Sequence, residues 1–248
     1  MAVYTHVSSE EMAALLARYD AGELVSAKGI AEGVENSNFL VDTDRSRFIL
    51  TLYEKRVDAG DLPFFLALLD HLADKGLPVP RALRDRSGVQ IQEVAGRPAC
   101  LIEFLPGVSV SRPTAPQAHA TGRALGAMHA ALGDFTLERP NTLGPEGWAA
   151  LAHRCGDDLD RIAPDLKARV FDELAVIARD WRSDLPRSVI HADLFPDNVL
   201  MHGDAVTGII DFYFACTEVR AWDLAVTHAA WCFENDGTGF DPARAAAL

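Results

Sequence analysis

The spacing of hydrophobic and polar residues predicts a short helix followed by three strands at the start of the chain. Ser8 and Glu11 form the signature of a helix capping box, and apolar residues then recur at helical spacing from 12 to 19. Three strand-like runs follow, separated by a glycine-containing segment and a polar turn: ELVSAKGI (23–30), SNFLVDT (37–43) and RFILTLYE (47–54). These runs predict an antiparallel meander.

A second helix and two more strands complete the predicted N-terminal half. The helical segment covers residues 61–76, with an N-cap expected at Asp61, Pro63 in its first turn and Gly76 at its end. Two further strand-like runs, VQIQEVA (89–95) and PACLIEFL (98–105), are joined by the turn AGR. We therefore expect a five-stranded antiparallel sheet with one inserted helix.

The sequence after residue 105 is mostly helical. Helical patterns cover residues 114–132, 146–159 and 164–181, and a last helix begins near Ala221. Residues 188–215 predict two short strand pairs that frame a polar loop. Because strand-forming and helix-forming segments separate along the chain, we predict the fold class α+β. The expected lobes are an N-terminal lobe of residues 1–104 and a C-terminal lobe of residues 105–248.

Composition and charge limit the classes of function. The chain has 248 residues, of which 49% are hydrophobic and 24% charged, as in ordinary globular proteins. Its net charge of −13 argues against nucleic-acid binding, which needs a basic surface. A divalent metal can still bridge carboxylates to nucleotide phosphates. No apolar run is long enough to span a bilayer, and acidic residues near the N-terminus do not resemble a secretory signal. We expect a cytoplasmic protein with no membrane or nucleic-acid partner.

The cysteines predict neither a zinc site nor a disulfide framework. Cys100, Cys155, Cys216 and Cys232 lie far apart in sequence, and no C-x-x-C motif occurs. Buried, unreactive thiols are the simplest interpretation, because unpaired cysteine behaves as a small hydrophobic residue. Nothing in the pattern specifies an oligomeric state.

One polar loop carries the residue types that phosphoryl transfer needs. Residues 191–198 read HADLFPDN, and Asp211 follows Asn198 by thirteen residues. Phosphoryl transfer requires a carboxylate beside the attacking hydroxyl and oxygen ligands that hold Mg²⁺ against the phosphates. Asp193, Asn198 and Asp211 fit the base and the two metal ligands in that order. Asp and Asn also cap ordinary turns, but this ordered set, between a strand and a hairpin, favours catalysis.

These motifs resemble the catalytic signature of the aminoglycoside phosphotransferase and choline kinase superfamily, whose fold is similar to that of protein kinases. Within it, GIAEGVENSNFLV, RFILTLYEKR, DLPFF, GLPVP, HADLFPDN and DFYFAC resemble the type II homoserine kinase family. The resemblance implies a bilobal fold and the reaction of ATP with L-homoserine to give ADP and O-phospho-L-homoserine, a step towards threonine. Asp193 would accept the hydroxyl proton, and Asn198 and Asp211 would hold Mg²⁺.

The resemblance also assigns residues around the nucleotide and the loop. The turn from Gly33 to Asn38 would cover the phosphates with backbone N–H groups, and the end of the fifth strand would form the adenine hinge. His191 and Asp223 would support the catalytic loop, although Asp223 equally suits a helix N-terminus. Tyr213 is interpreted either as lining the acceptor pocket or as core. The implied nucleotide-binding residues are Gly33, Asn36, Ser37, Asn38, Glu103, Phe104 and Leu105.

One pair of positions departs from the pattern. Kinases of this fold usually pair a basic residue on the third strand with a Glu on the next helix. Here the strand position falls near Thr51 and the helix position near Phe65, which cannot form an ion pair. Lys28, Lys55 and Arg56 are alternative phosphate contacts, and the last two equally suit a solvated strand end. Because the resemblance continues through this segment, we interpret the change as a subfamily variation.

Two alternative functions remain open at this stage. The same chemistry on choline would favour an aromatic cage, and on a cationic aminoglycoside an acidic cleft. An inactive nucleotide-binding module would lack the Asp, Asn and Asp set, which is present here. No GLGSS-type phosphate loop of the unrelated homoserine kinases occurs. Asp241 and Pro242 predict a helix that Leu248 cuts short, so we expect further helices that this chain lacks.

Overall fold

The computed structural model describes residues 4–30, 36–54, 58–182, 184–234 and 237–248. The strands in these ranges are β1 (Leu24–Gly29), β2 (Ser37–Thr43), β3 (Arg47–Leu52), β4 (Gln92–Val94), β5 (Arg97–Glu103), β6 (Arg187–Ile190), β7 (Val199–His202), β8 (Ala205–Ile209) and β9 (Cys216–Val219). The helices are α1 (Ser9–Leu16), α2 (Leu62–Asp74), α3 (Ala115–Ala131), α4 (Pro145–Cys155), α5 (Asp158–Ile162), α6 (Leu166–Asp180), α7 (Arg220–Trp231) and α8 (Pro242–Ala247).

The first five strands form the predicted antiparallel sheet. Its strand order is β1-β2-β3-β5-β4, and the register places Thr51 opposite both Asn38 and Cys100. Ala95 and Gly96 join the last two strands with φ angles of 49° and 70°. Two consecutive positive φ angles are typical of a type I′ turn, whose twist matches that of the strands it connects.

Two predicted segments are shorter than expected. Strand β4 covers only Gln92–Val94, because the Asp85 carboxylate accepts a hydrogen bond from the Val89 amide at 2.9 Å and closes residues 85–89 into a turn. The predicted helix over 146–159 is divided into α4 and α5. Gly156 lies between them with a φ of 52°, outside the helical region.

The beginning of α2 differs from the predicted cap. Asp61 has helical dihedral angles (φ −85°, ψ −16°), and its side chain makes no cap hydrogen bond. Asp58 instead accepts a bond from the Gly60 amide at 2.9 Å and begins a short 3₁₀ turn that leads into the helix. Pro63 lies in the first turn as predicted. The capping boxes at Ser8 and Thr114 form at the start of α1 and α3.

Two hydrophobic clusters cover opposite faces of the sheet. One packs α1 against Phe39, Leu50 and Leu101. The other begins on α2 and the inner face of the sheet and continues into the C-terminal half, where it includes Met128 and Trp231. Because this second cluster is continuous, it joins the two lobes of the α+β fold. The position of the lobe boundary at 104 and 105 stays a prediction.

The chain leaves the sheet through a close contact at Gly107. A Cβ atom on Gly107 would lie 2.3 Å from the Thr207 hydroxyl and 3.1 Å from the Met201 amide nitrogen, and its φ is 141°. Next to it, Val108 exchanges backbone hydrogen bonds of 3.0 and 2.9 Å with Met201. Only glycine satisfies both constraints, so this residue fixes the connection between the sheet and the β7–β8 hairpin.

The cysteines are unpaired thiols. Cys100, Cys216 and Cys232 are buried, as predicted, whereas Cys155 at the end of α4 is exposed, so that part of the prediction is wrong. Burial raises the pKa of Cys100 to about 11 and that of Cys216 to about 12. Among the described residues, no helix combines the length and apolar character needed to cross a membrane.

Candidate active site

The polar loop lies between two short strand pairs. Strand β6 pairs with β9, and β7 pairs with β8. The β7–β8 hairpin is as predicted, whereas β9 follows the segment 188–215 in which both strand pairs were expected. The Ile210 amide donates to the Asn198 carbonyl oxygen at 3.0 Å. Asp211 therefore follows a residue that is bonded directly to Asn198, at the end of the hairpin where the loop enters β7. The hairpin thus brings these two ends of the motif together.

Asn198 also contacts Asp193 across the loop. The buried Asn198 side chain donates from Nδ2 to Oδ2 of Asp193 at 2.9 Å and to its carbonyl oxygen at 2.7 Å. Both bonds use the amide nitrogen, so the amide oxygen is the atom that Asn198 offers to a cation. Asp193 is half-buried. The loop therefore presents an oriented carboxylate next to a side-chain oxygen.

His191 is part of the framework of the loop. Its Nδ1 accepts from the Asp193 amide at 3.2 Å, and its Nε2 lies 3.0 Å from the Ile210 carbonyl oxygen. These partners require a neutral ring that carries its proton on Nε2, because Nδ1 acts as an acceptor. The ring is fully buried beside Phe212, at 4.5 Å between centroids. Burial lowers the pKa of His191 and favours this neutral form.

Asp223 binds the backbone at the start of the loop. Its buried carboxylate, in the first turn of α7, accepts from the amides of His191 at 3.0 Å and Ala192 at 2.9 Å. His129 Nε2 lies 2.8 Å from the same carboxylate. Ala192 has a φ of 64°, a left-handed conformation that costs a non-glycine residue free energy. The two hydrogen bonds from Asp223 hold this backbone conformation in place.

The segment after Asp211 packs against the sheet and α2. Asp211 itself has a left-handed backbone (φ 65°), and Phe212–Phe214 form a 3₁₀ turn. The Tyr213 hydroxyl donates to the Tyr53 hydroxyl at 3.1 Å, and its ring lies edge-on to Phe65 at 5.6 Å between centroids. Burial raises the pKa of both tyrosines, so both remain protonated. Contact between Tyr213 and an acceptor stays a prediction.

The predicted phosphate turn is described from Asn36 onward; Gly33, Lys55 and Arg56 lie outside the described residues. Asn38 accepts from the Thr51 hydroxyl at 2.8 Å. Ser37 is buried on the opposite face of the strand, where its hydroxyl donates to Glu54 at 2.8 Å.

The hydrogen bonds of Asn36 and Ser37 and the exposure of Lys28 describe the rest of this region. The Asn36 side chain accepts from the Glu54 amide at 3.3 Å. Ser37 Oγ accepts from the Tyr4 amide at 2.8 Å, so any contact of Ser37 with a nucleotide would use its backbone. Lys28 is exposed on β1, opposite Leu40.

The predicted hinge begins at Glu103, the last residue of β5. The Glu103 amide donates to the Arg81 carbonyl at 2.9 Å, and its carboxylate accepts from the Arg81 amide at 3.0 Å. Phe104 is 37% exposed, and the Arg47 guanidinium lies 5.3 Å from its ring centroid. Leu105 packs on Gly208 of β8, where an added Cβ would come within 3.0 Å of its side chain. The hinge segment is therefore fixed at both ends, with an exposed aromatic ring between them.

The oxygen atoms of the loop fit a metal ion whose coordination is completed by a bound nucleotide. In the described ranges, no three or more His, Cys, Asp or Glu side chains are grouped so as to hold a metal ion by themselves. The loop offers instead one carboxylate and one amide oxygen, from Asp211 and Asn198. Mg²⁺ in nucleotide sites is held by one or two protein oxygens together with phosphate oxygens and water. The residues present therefore fit Mg²⁺ bound together with a nucleotide.

The sequence of the chain matches a known protein family. The profile of the family described as "Phosphotransferase enzyme family" matches residues 26–248. The chain belongs to this family. Among curated relatives, this phosphotransferase is 57% identical over 238 residues to a homoserine kinase from Zymomonas mobilis subsp. mobilis, covering 95% of this chain and 74% of that one. It is 52% identical over 248 residues to a homoserine kinase from Parvibaculum lavamentivorans, covering 100% and 77%.

Solved structures support the fold of the phosphotransferase. An aminoglycoside-3'-phosphotransferase of type VIII matches with a TM-score of 0.65 and 24% identity, covering 96% of this chain and 88% of that one. A spectinomycin phosphotransferase matches with a TM-score of 0.67 and 14% identity, covering 96% and 77%. The predicted bilobal, protein-kinase-like α+β fold and the resemblance to homoserine kinases are confirmed.

Two residues at the phosphotransferase site were missed by the sequence analysis. His129 contacts Asp223, and Arg139 forms an ion pair of 2.7 Å with Asp61, which had been interpreted as a helix cap. Neither partner is near in sequence, since the first pair is 94 residues apart and the second 78. A local motif contains no signal for such contacts. His129 lies in the last turn of α3, where its side chain is partly exposed.

Proposed function

We propose that this phosphotransferase transfers the γ-phosphoryl group of ATP to the side-chain hydroxyl of L-homoserine, giving ADP and O-phospho-L-homoserine. The observation that carries the proposal is the 52–57% identity to homoserine kinases over 95–100% of the chain. The loop geometry supports the reaction type, because it presents a carboxylate and metal-binding oxygens side by side. The reaction is a step towards threonine, and we assign it to the cytoplasm.

Asp193 acts as the base in this proposal. Its carboxylate is oriented by the Asn198 amide at 2.9 Å, which fixes the oxygen that faces the acceptor hydroxyl. The hydroxyl oxygen forms the new bond to the γ-phosphorus, the bond from that phosphorus to the β–γ bridging oxygen breaks, and the hydroxyl proton passes to Asp193. His191, neutral and bonded on both nitrogens, orients the loop and takes no part in proton transfer.

Asn198 and Asp211 would hold Mg²⁺ through one side-chain oxygen each. The ion supplies positive charge that offsets the negative charge of the β- and γ-phosphates. The left-handed backbone at Asp211 and its neighbouring bond from Ile210 to Asn198 keep both side chains at the same end of the hairpin. Asp223 supports the loop through its two backbone hydrogen bonds.

We assign the nucleotide to a position between the sheet and this loop. In this proposal residues 33–38, including Gly33, Asn36, Ser37 and Asn38, would cover the phosphates. Glu103, Phe104 and Leu105 would form the hinge for adenine. The exposed ring of Phe104 and the fixed backbone around it support this assignment. A net charge of −13 is consistent with small substrates rather than nucleic acid.

The acceptor is tested by measuring ADP release with a panel of alcohols. L-homoserine, choline, kanamycin and L-serine are each supplied with ATP and Mg²⁺, and the product is identified by ³¹P NMR as a phosphate ester. We expect kcat/KM for L-homoserine to exceed that for each other alcohol by at least about 100-fold. A preference for choline or kanamycin would overturn the acceptor assignment while keeping the reaction type. No ADP release with any alcohol would overturn both.

A further inference from the structure

The turn after Asp211 is held by side chains from two other elements. Asp211 has a left-handed backbone, and Phe212–Phe214 form a single 3₁₀ turn. So short a turn has little intrinsic stability. The position of the Asp211 carboxylate therefore depends on what the following residues contact.

Tyr213 connects this turn to β3 and α2. Its hydroxyl donates to the Tyr53 hydroxyl at 3.1 Å, directly after β3. Its ring lies edge-on to Tyr53 and Phe65, with centroid distances of 5.4 and 5.6 Å. Edge-to-face contacts of this kind fix orientation as well as burying area.

Arg139 is a second connection between the turn and α2. Its Nε lies 2.7 Å from the Asp61 carboxylate at the start of α2, and its guanidinium carbon lies 5.1 Å from the Phe65 ring centroid. Its Nη1 donates to the Ala215 carbonyl at 3.2 Å, directly after the 3₁₀ turn. A planar guanidinium can make these three contacts at once, which a lysine ammonium cannot.

Both sets of contacts meet at Phe65, the helix position of the missing ion pair. In kinases of this fold, a basic residue on the third strand and a Glu on the next helix must be paired for activity. Thr51 and Phe65 occupy these positions here, and the Phe65 ring contacts both Tyr213 and Arg139. The helix position of the usual ion pair is thus covered by Tyr213 of the metal-ligand turn and by Arg139.

We propose that Tyr213 and Arg139 are positioning residues, which hold the Asp211 turn against β3 and α2 in place of the strand-to-helix ion pair. The proposal rests on the proposed function only in assigning Mg²⁺–nucleotide binding to Asp211. It predicts that loosening either contact weakens Mg²⁺ binding more than it weakens acceptor binding.

The test compares Tyr213→Phe and Arg139→Lys with two matched controls. Tyr19→Phe makes the same change at a tyrosine buried in the other hydrophobic cluster. Arg86→Lys makes the same change at an arginine that bonds Asp20 at 2.8 Å and the Ala17 carbonyl at 2.7 Å, away from the loop.

Nucleotide binding is measured without acceptor, by titrating a non-hydrolysable ATP analogue calorimetrically at several Mg²⁺ concentrations. We expect Tyr213→Phe and Arg139→Lys each to raise the Mg²⁺ concentration for half-maximal binding about fivefold and to lower kcat about fivefold to tenfold. KM for homoserine should stay within about twofold of the original protein, and both controls should stay within about twofold in every quantity.

Three results would overturn the proposal. One is a Mg²⁺ requirement that changes no more than in the controls. The second is a rise in the homoserine KM at constant kcat, which would place Tyr213 in the acceptor pocket. If Tyr213→Phe does not fold, Tyr53→Phe is used instead, because it removes the same hydrogen bond from the other partner. An unchanged Mg²⁺ requirement in Tyr53→Phe is the third result that would overturn the proposal. If the original protein binds Mg²⁺–nucleotide but does not phosphorylate homoserine, only the proposed acceptor is contradicted.

Discussion

Asn198 links the proposed base to the proposed metal at the scale of single residues. Its amide nitrogen donates to the Asp193 carboxylate at 2.9 Å, which leaves its amide oxygen for a cation. Its carbonyl oxygen accepts from Ile210, the residue before Asp211. One side chain and its backbone therefore set the relative positions of three functional groups.

Replacing Asp193 by Asn should separate binding from chemistry. Asparagine has nearly the same shape but cannot accept a proton, so we expect kcat to fall by a factor on the order of 10³. Binding of Mg²⁺–ATP should change by less than about threefold. ADP release and calorimetric titration measure the two effects. Asp197→Asn, at an exposed position of the same loop, is the control, and an unchanged kcat in Asp193→Asn would refute the assignment of the base.

The buried His191 should make folding stability depend on pH. Burial lowers its pKa below the ordinary value of 6.5, so between the two values the unfolded chain binds a proton that the folded chain does not. Stability is therefore retained above pH 6.5 and decreases as pH falls towards the lowered pKa. The contribution to the slope is at most about 1.4 kcal/mol per pH unit.

Urea unfolding between pH 5 and pH 8 tests this expectation. His191→Gln keeps an N–H group for the Ile210 carbonyl but does not titrate, so the slope below pH 6.5 should be smaller in the variant. Identical slopes in both proteins would show that other groups cause the dependence.

The connection at Gly107 shows how a single backbone position controls two elements. Alanine there would have to adopt a φ of 141° and place a Cβ against Leu200 and the Met201 amide. We expect Gly107→Ala to lower the free energy of unfolding by about 3 kcal/mol. Gly203→Ala is the control, since its φ is 62° but nothing lies within 4 Å of the added Cβ. Chemical denaturation of both variants measures the difference, and equal losses would show that close packing is unimportant.

Elements with strong local signals could be predicted from the sequence, and contacts between distant elements could not. The capping box at Ser8 and the β7–β8 hairpin form as expected, because neighbouring residues determine them. The Asp61 cap was wrong because its carboxylate pairs with Arg139 instead, 78 residues away. The candidate site likewise has a part that local sequence predicts and a part that depends on distant contacts. The spacing of the motif predicted its loop, but the support from His129 depends on how α3 packs.

At the scale of the whole molecule, one hydrophobic cluster crosses between the lobes. It includes Phe65 and Cys100 on the sheet side and Met128 and Trp231 on the helical side. A shared core couples the unfolding of the parts that it joins, because exposing one side also exposes the other. The lobes should therefore not unfold independently.

Thermal unfolding should show one transition by two probes that see different regions. The four tryptophans lie at positions 148, 181, 222 and 231, so their fluorescence reports on the C-terminal half, whereas far-UV circular dichroism reports on the whole chain. We expect midpoints within about 2 °C of each other. A sheet signal that persists after the tryptophan signal is lost would contradict this coupling.

The distribution of thiols gives the protein a ready attachment point for spectroscopy. Cys155 is exposed at the end of α4, whereas the other three cysteines are buried, and Cys100 and Cys216 have pKa values of about 11 and 12. Maleimide reagents react with thiolates, so a fluorophore should attach at Cys155 alone in the native protein. Energy transfer from that dye to a fluorescent nucleotide can then follow ligand binding without any engineered cysteine.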